Sequence, residues 1–204
     1  MRKSEFHMKS FSVHTLGCKV NWYESEAISE QLLSQGLFRT DHRATGDLCI
    51  VNTCTVTQKA AMQSRQAVRK AIRGHPGAFV VVTGCYAQIA PEVFGAVPGV
   101  HCIVGNTFKD HIAGLINGGE VPAGKVTLVE DQSTSCQFQD MPVTRFGGRT
   151  RPFLKVQDGC NAFCAYCIVP YARGRSRSLA PEIVLRRVEE LTERGYSEIV
   201  LCGI

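Results

Sequence analysis

The chain has 204 residues, of which 44% are hydrophobic and 20% are charged. This composition is typical of a folded globular protein and excludes a collagen, a coiled coil and an intrinsically disordered chain. The net charge of +5 weakly favours a polyanionic partner. The sequence has no apolar run of about 18 residues, and its polar start does not resemble a secretory signal. We therefore expect a cytoplasmic protein with no membrane partner and no disulfides.

Short apolar runs alternate with helical stretches through the first half of the sequence. The apolar runs predict buried strands at residues 11–16, 48–53, 79–83 and 101–104. Between the first two strands, apolar residues at helical spacing predict a helix with Asn21 as its N-cap and Gly36 just beyond its end. A second helix is predicted to follow the cap Thr57 and to end at Arg73. This alternation predicts an α/β fold with an open parallel sheet covered on both faces.

The sequence contains 10 cysteines, and in a cytosolic chain so many thiols indicate metal binding or thiol chemistry. Three of them each follow one of the first three predicted strands, and we call them the edge cysteines: Cys18, Cys54 and Cys85. Because the carboxyl ends of parallel strands meet at one edge of a sheet, we expect these thiols to converge where such sheets bind ligands. Gly17 and Gly84 would let the backbone approach an inorganic cluster closely. Three unrelated buried thiols are the alternative at this point.

Other cysteines and the histidines carry no such signal. Cys49 and Cys102 lie inside predicted apolar strands, and Cys202 lies in the last predicted strand. We expect all three in the core, since free cysteine behaves as a small hydrophobic residue. The six histidines are predicted to lie at the surface or in loops, without a catalytic role.

A change in composition divides the chain. Residues 117–152 are rich in Gly, Ser, Thr and Gln, which indicates a linker with one strand at 125–129. We place a domain boundary near residue 145, with an N-terminal open-sheet domain over residues 9–144 and a second domain over residues 145–204.

The second domain opens with an apolar run that predicts a strand over residues 153–157. A C-x3-C-x2-C motif follows it, and we call its members the loop cysteines: Cys160, Cys164 and Cys167. Three thiolates at this spacing can ligate three irons of a cubane cluster and leave the fourth iron open to a small molecule. Zinc is the alternative metal, but a structural zinc site prefers four protein ligands, and no fourth Cys or His is adjacent. Phe163 and Tyr166 lie between these cysteines, either as a cluster shield and a stacking surface for an adenine or as simple packing.

These motifs resemble those of a known family. The loop that holds the loop cysteines resembles the radical S-adenosylmethionine superfamily. The sequences Leu-Gly-Cys18-Lys-Val-Asn, Asn-Thr-Cys54-Thr, Thr-Gly-Cys85-Tyr and residues 159–174 together resemble the methylthiotransferase family within it. The resemblance covers about residues 11–204. The wording Gly-Cys-Lys-Val-Asn is similar to the branch that acts on N6-threonylcarbamoyladenosine in tRNA.

The resemblance implies two cofactor sites. The loop cysteines would hold a 4Fe-4S cluster whose open iron binds S-adenosylmethionine, with Tyr166 in contact with the cofactor. The edge cysteines would hold a second, auxiliary 4Fe-4S cluster that delivers sulfur. A 5′-deoxyadenosyl radical would abstract the hydrogen at C2 of the adenine, and a methylthio group would take its place. We assign no catalytic side chain, since the cofactors carry this chemistry.

The resemblance also implies partners. They are the anticodon stem-loop of tRNA and an electron donor of the flavodoxin or ferredoxin type, and we expect the protein to act as a monomer. Charge supports a nucleic-acid partner, because residues 145–177 contain seven basic residues and one acidic residue. Within this stretch we predict that Arg173, Arg175 and Arg177 contact tRNA phosphates.

The sequence is expected to be incomplete relative to this family. After the loop cysteines we predict only a helix at 181–194 and a strand at 198–202. The resemblance implies a partial βα barrel, similar to a TIM barrel, of which residues 145–204 would be the truncated beginning. The alternatives are the isopentenyladenosine-tRNA branch, the ribosomal-protein branch, an inactive fragment, another radical enzyme and a non-catalytic RNA-binding module that holds zinc or a cluster.

Overall fold

The computed structural model describes residues 8–40, 46–116, 124–132, 137–147 and 150–204. Strands and helices alternate along the first part of the chain, as β1 (Ser10–Thr15), α1 (Lys19–Ser34), β2 (Phe38–Arg39), β3 (Leu48–Thr53), α2 (Gln58–Gly74), β4 (Phe79–Gly84), α3 (Cys85–Ile89), α4 (Pro91–Gly95), β5 (Cys102–Val104), a 3-10 helix (Asn106–His111), α5 (Ile112–Ile116) and β6 (Val126–Leu128). The second part contains β7 (Phe153–Lys155), β8 (Gln157–Asp158), α6 (Val169–Arg173), β9 (Arg177–Ser178), α7 (Pro181–Glu193) and β10 (Val200–Cys202).

The first part forms a six-stranded parallel sheet in the order β2-β1-β3-β4-β5-β6. The central strands β3 and β4 are buried at every position. Ile50 and Val81 face one apolar cluster together with Ile28 of α1, whereas Val51 and Val80 face a second cluster on the other side. A strand enclosed on both faces needs apolar residues at consecutive positions, which explains the continuous apolar runs in the sequence. The predicted parallel α/β sheet is confirmed.

The predicted start of the first helix is wrong. The helix α1 begins at Lys19, with Cys18 as its N-cap, so that Asn21 lies inside the first turn and is fully buried. The Asn21 amide donates to the carbonyl oxygens of Leu16 and Thr53, and these tertiary contacts explain why it does not serve as a cap. For α2 the prediction is confirmed, because the Thr57 hydroxyl accepts a hydrogen bond from the Ala60 N–H at 3.1 Å.

The predicted linker contributes to the sheet. Its strand, β6, pairs in parallel with β5, with Cys102 opposite Val126, and it forms the sheet edge. Residues 117–123, 133–136 and 148–149 of this segment lie outside the described residues. The segment therefore carries an edge strand as well as connecting the two parts of the chain.

The second part consists of a parallel pair, β7 with β10, and a short antiparallel pair, β8 with β9. One continuous strand was predicted over residues 153–157, but it divides at Val156. There the backbone N–H donates to Cys202 and the carbonyl accepts from Leu179, so the chain leaves one pair to join the other.

Both parts of the chain share one apolar core. Leu154 and Leu191 belong to the same buried cluster as Ile28 of the first part. The Phe146 ring lies between those of Tyr23 and Tyr196, with centroid separations of 6.3 and 6.4 Å. The domain boundary near residue 145 stays a prediction. Within the described ranges, no helix has the length and apolar character needed to cross a membrane.

Candidate cluster-binding site

The edge cysteines lie at one edge of the sheet. Cys18 follows β1 and caps α1, Cys54 follows β3, and Cys85 follows β4 as the first residue of α3. All three are free thiols; Cys18 is exposed, and Cys54 and Cys85 are buried. Since β1 and β3 are neighbours although β2 lies between them in sequence, the strand order reverses at this point, which is where open α/β sheets form ligand crevices.

The edge cysteines are mutually close. A Cβ added at Gly17 would lie 2.9 Å from the Cys54 sulfur, so the backbone before Cys18 touches that side chain. Burial raises the pKa of the Cys54 thiol, and the nearby Cys85 and Cys18 raise it further. A cubane receives each thiolate on a different iron, so its ligands need not crowd around one point as they would at a single ion. Three convergent free thiols, one of them exposed, fit such a cluster.

Gly84 allows the third edge cysteine to reach this position. Its φ is +97°, in the left-handed region, and a Cβ there would lie 2.3 Å from the Thr53 carbonyl oxygen. Only glycine can adopt this conformation without strain and also tolerate so close a neighbour. The chain can therefore turn from β4 directly into α3 against the loop that carries Cys54.

The Cys54 loop is fixed by hydrogen bonds to α2. The Cys54 N–H donates to the Ser64 hydroxyl at 3.0 Å, and that hydroxyl donates to the Cys54 carbonyl oxygen at 2.7 Å. The Thr53 hydroxyl donates to the Thr83 carbonyl oxygen at 2.6 Å and joins the ends of β3 and β4. Buried backbone groups in this loop are therefore satisfied, and the thiol is held in place.

The loop cysteines lie in a more open environment. Cys160 and Cys167 are partly exposed, Cys164 is exposed, and all are free thiols. The Cys160 N–H donates to the Gly174 carbonyl oxygen at 3.0 Å, and the Cys167 N–H donates to that of Cys164 at 2.9 Å. Between them Phe163 has a φ of +46°, a conformation that costs roughly 1–2 kcal/mol for a residue with a side chain. The loop is thus closed at its ends and strained at its centre.

A cleft of about 500 Å3 lies beside the loop, and none of the six candidate ligand cysteines is among its lining residues. Gln88 and Val129 line it on one side, and Phe163, Tyr171 and Arg175 line it on the other. The Phe163 ring is 46% exposed and meets the Tyr171 ring edge to face, with the Arg175 guanidinium 5.9 Å from its centroid. An exposed aromatic ring beside a cation provides a stacking surface for a base.

Tyr166, predicted from the sequence to contact the cofactor, is 91% exposed. It is not among the residues that line this cleft. Its role as a cofactor contact stays a prediction.

A buried group of charged side chains, which the sequence analysis missed, lies behind the edge cysteines. We call it the buried charge network, and it consists of Glu24, Lys109, Lys155, Asp158 and Arg173, each at most 5% exposed. Glu24 accepts from Lys109, from Lys155 at 3.0 Å and from Arg173 at 2.9 Å. Asp158 pairs with Lys155 at 2.8 Å and with Arg173 at 3.0 Å.

The cations of this network keep both carboxylates ionised. Burial acts to raise the pKa of Glu24, but Arg173, Lys109 and Lys155 together hold it well below its ordinary value. The pKa of Asp158 is lowered in the same way by Arg173 and Lys155. One feature of the sequence could have indicated this network. Lys155 lies inside an apolar strand, and a buried lysine requires a partner of opposite charge.

The prediction that Arg173 contacts tRNA is wrong. Its side chain is 1% exposed and is paired with Glu24 and Asp158. The Arg177 side chain is 9% exposed and lies 3.8 Å from Asp158, so it is also turned mostly inward. Of the three predicted arginines, only Arg175 has an exposed side chain. Counting charge along the sequence could not detect that the carboxylate partners lie far away in the chain.

The predicted positions of the histidines need a correction. His14 lies in β1 rather than in a loop, whereas His75 lies in the loop after α2 as predicted but is only 3% exposed. Among the described residues, the possible ligand atoms of His14, Cys49 and His75 lie within 4.8 Å of one another. Cys49, Cys102 and Cys202 are buried as predicted, and burial raises the pKa of each thiol to about 11.

Two family comparisons match separate parts of the chain. Residues 10–105 match the family described as uncharacterized protein family UPF0004, and this part includes the edge cysteines. Residues 154–204 match the radical SAM superfamily, and this part includes the loop cysteines. The part of the chain with the loop cysteines therefore resembles the radical S-adenosylmethionine superfamily.

The curated relatives of the chain are tRNA-modifying enzymes. The chain is 42% identical over 197 residues to a threonylcarbamoyladenosine tRNA methylthiotransferase of Bacillus subtilis, with 97% of this chain and 44% of the relative covered. An enzyme of the same name from Aquifex aeolicus is 35% identical, with 93% and 46% covered. A tRNA-2-methylthio-N6-dimethylallyladenosine synthase of Clostridium botulinum is 32% identical, with 95% and 44% covered.

Along nearly its whole length the chain is similar to radical S-adenosylmethionine methylthiotransferases, and it spans less than half the length of these curated relatives. Such enzymes use S-adenosylmethionine and iron–sulfur clusters, for which the chain offers two groups of free thiols.

Proposed function

We propose that the protein transfers a methylthio group to C2 of N6-threonylcarbamoyladenosine beside the anticodon of tRNA. The observation that carries the proposal is that the helix after the loop cysteines docks against the edge cysteines. Arg173, at the end of that helix, donates to Asn21, whose own amide binds the carbonyl oxygens of Leu16 and Thr53. Through these contacts the segment after the loop cysteines is held against the strand ends that carry the edge cysteines, as a reaction that needs both thiol groups would require.

We assign the loop cysteines to one 4Fe-4S cluster and the edge cysteines to a second. When bound, the first cluster with S-adenosylmethionine supplies radical chemistry, and the second supplies sulfur. The protein's own task is to bind and orient. Cys54 and Cys85 are buried and would shield one cluster from water, while the more exposed loop would admit a ligand to the other.

The cleft has features that suit an adenine base. The exposed Phe163 ring offers a stacking face, and the Arg175 guanidinium beside it offers a cation for a phosphate or for the base itself. Stacking on an aromatic side chain is how single-stranded RNA loops are commonly recognised. We therefore place the anticodon loop of the tRNA at this cleft, with Phe163 and Arg175 as its contacts.

Further parts of the proposal concern partners and location. We propose that a flavodoxin- or ferredoxin-type protein supplies the electron and that the enzyme acts as a cytoplasmic monomer. The exposed Cys164 makes the loop the side from which an electron donor could approach.

The test is a product analysis with the full-length protein. After anaerobic reconstitution, it is incubated with S-adenosylmethionine, dithionite and tRNA that carries either N6-threonylcarbamoyladenosine or isopentenyladenosine, and the nucleosides are analysed by mass spectrometry. We expect the methylthio derivative of the first nucleoside alone. Product only from the second would support the branch of the 32%-identical relative instead. Cleavage of S-adenosylmethionine without either product would reject a tRNA substrate, and ribosomal protein would then be assayed.

A further inference from the structure

A single buried guanidinium touches both parts of the candidate site. Arg173 ends α6, the helix that follows the loop cysteines, and it is 1% exposed. Its Nη2 donates to Asn21 Oδ1 at 2.5 Å, and its Nη1 donates to Glu24 Oε1 at 2.9 Å. Since Asn21 and Glu24 lie on α1, directly after Cys18, the side chain ties the second part of the chain to the first.

The Asn21 side chain connects Arg173 to two edge cysteines. Its Nδ2 donates to the Leu16 carbonyl oxygen at 2.7 Å and to the Thr53 carbonyl oxygen at 3.1 Å. These carbonyls lie two residues before Cys18 and one residue before Cys54. One arginine therefore fixes, through one amide, the spacing between the two cysteine loops.

The third edge cysteine is also adjacent to the end of α6. The Asn106 amide donates to the carbonyl oxygen of Ala172 at 2.6 Å and lies 3.9 Å from the Cys85 sulfur. The surroundings of all three edge cysteines are thus linked to Arg173 or to the residue before it.

The charges of this region are unequal. Among the described residues, Lys109, Lys155 and Arg173 are buried together with the two carboxylates of Glu24 and Asp158, so this group has one more cation than it has anions. Buried charge requires compensation, so an additional negative group is needed beside the network. Burial acts to lower the pKa of Arg173, but Cys85, Glu24 and Asp158 more than offset this and raise it. The Arg173 charge thus acts on both buried edge cysteines, Cys85 and Cys54.

We propose that Arg173 is a positioning residue that sets the reduction potential of the auxiliary cluster, because its fixed charge lies beside the edge cysteines and its hydrogen bonds hold their loops. The proposal rests on the cluster assignment made under the proposed function. A fixed positive charge beside a cluster favours the reduced form, which carries one more electron. The buried carboxylate of Glu24 acts in the opposite direction.

The experiment isolates the auxiliary cluster. In the full-length protein, the triple substitution Cys160/Cys164/Cys167→Ala leaves only the edge cysteines as cluster ligands. In this background the reconstituted cluster is titrated with dithionite and followed by electron paramagnetic resonance. For Arg173→Gln we expect the ratio of reduced to oxidised cluster at a fixed potential to fall about tenfold, which corresponds to about 59 mV for one electron. For Glu24→Gln we expect a rise in that ratio.

The opposite signs separate an electrostatic role from a structural one. Both substitutions break the same ion pair, so a purely structural role would shift the potential in one direction or not at all, and that result would overturn the proposal. Arg173→Lys keeps the charge and is expected to change the ratio by less than about threefold. Arg186→Gln on the exposed surface of α7 is the matched control and should leave the ratio unchanged.

The remaining outcomes are also decisive. If Arg173→Gln does not load iron while Arg173→Lys does, the positioning role is supported, and Glu24→Gln alone reports the sign of the charge effect. If the background protein with Arg173 intact retains no iron, the auxiliary-cluster assignment under the proposed function fails, and the present proposal fails with it. If that protein is loaded but neither variant shifts the potential, only the present proposal is overturned.

Discussion

The two groups of thiols are held by different means. The edge cysteines are positioned by the ends of three neighbouring parallel strands, and two of them are buried. The loop cysteines lie in one short, largely exposed loop that is fixed by hydrogen bonds at its two ends. The comparison indicates that the sheet itself positions the edge cysteines, whereas the loop depends on hydrogen bonds such as that from Cys160 to Gly174, just after the following helix.

The buried charge network is the connection between these two regions. It joins Glu24 and Lys109 of the first part to Lys155, Asp158 and Arg173 of the second. Substitutions in the network should therefore affect both regions, while substitutions at the sheet edge should affect mainly one.

The largest effect is expected from Glu24→Ala. This change leaves three buried cations with one carboxylate, and breaking a buried ion pair from one side costs about 3–5 kcal/mol. We expect the free energy of unfolding to fall by that amount in urea denaturation of the cluster-free protein. Glu189→Ala, on the exposed surface of α7, is the control and should change it by less than about 0.5 kcal/mol. Equal stability of the two variants would show that the network does not join the regions.

A second substitution tests the strand ends that carry the edge cysteines and leaves the buried charge network intact. Gly84→Ala adds a Cβ at 2.3 Å from the Thr53 carbonyl oxygen, in a left-handed conformation. The close contact and the strained backbone together should lower the free energy of unfolding by about 3 kcal/mol and reduce the iron bound by the edge cysteines. Gly77 also has a positive φ, but a Cβ added there would have no atom within 4 Å. Gly77→Ala should therefore lower the free energy of unfolding by only about 1 kcal/mol. Normal iron binding by Gly84→Ala would contradict the claim that the strand ends position the edge cysteines.

The pH dependence of stability tests the charge of the network. The pKa values of Glu24 and Asp158 are lower in the folded than in the unfolded protein. Their contribution is therefore complete above the unfolded values of about 4 and is lost as the pH falls through the folded values. We expect stability of the cluster-free protein to fall below about pH 4, by up to about 1.4 kcal/mol per pH unit for each proton bound. Glu24→Gln should reduce this slope, and an unchanged slope would contradict a buried, ionised Glu24.

The smallest perturbation is chemical labelling of the thiols in the folded, cluster-free protein. Cys164 and Cys18 are exposed and should react with iodoacetamide at least about tenfold faster than Cys54, which is buried and whose thiol has a raised pKa. Peptide mass spectrometry over time measures each rate. Equal rates for Cys54 and Cys164 would mean that the sheet edge is not closed in the absence of a cluster.

Much of the fold could be predicted because apolar runs and turn residues act locally. The strands near residues 48–53 and 79–83, and the cap of α2 at Thr57, follow from side chains within a few positions of each other. The start of α1 could not be predicted, since Asn21 is held by carbonyl groups that come from the neighbouring strand ends.

The site was predictable to different degrees in its two halves. The loop cysteines were visible as a spacing in the sequence, and the edge cysteines became visible once three strands were assigned to one sheet. The role of Arg173 was not predictable, because its partners Glu24 and Asp158 are 149 and 15 residues away. A cation in a basic stretch looks like a phosphate contact until the fold brings its carboxylates to it.

The most direct test of the account is the iron and acid-labile sulfide content per chain after anaerobic reconstitution of the full-length protein. It compares the wild type with Cys160/Cys164/Cys167→Ala and with Cys18/Cys54/Cys85→Ala. We predict about eight irons in the wild type and about four in each variant. A value of about four in the wild type and in the Cys18/Cys54/Cys85→Ala variant would contradict the account, because the edge cysteines would then hold no cluster.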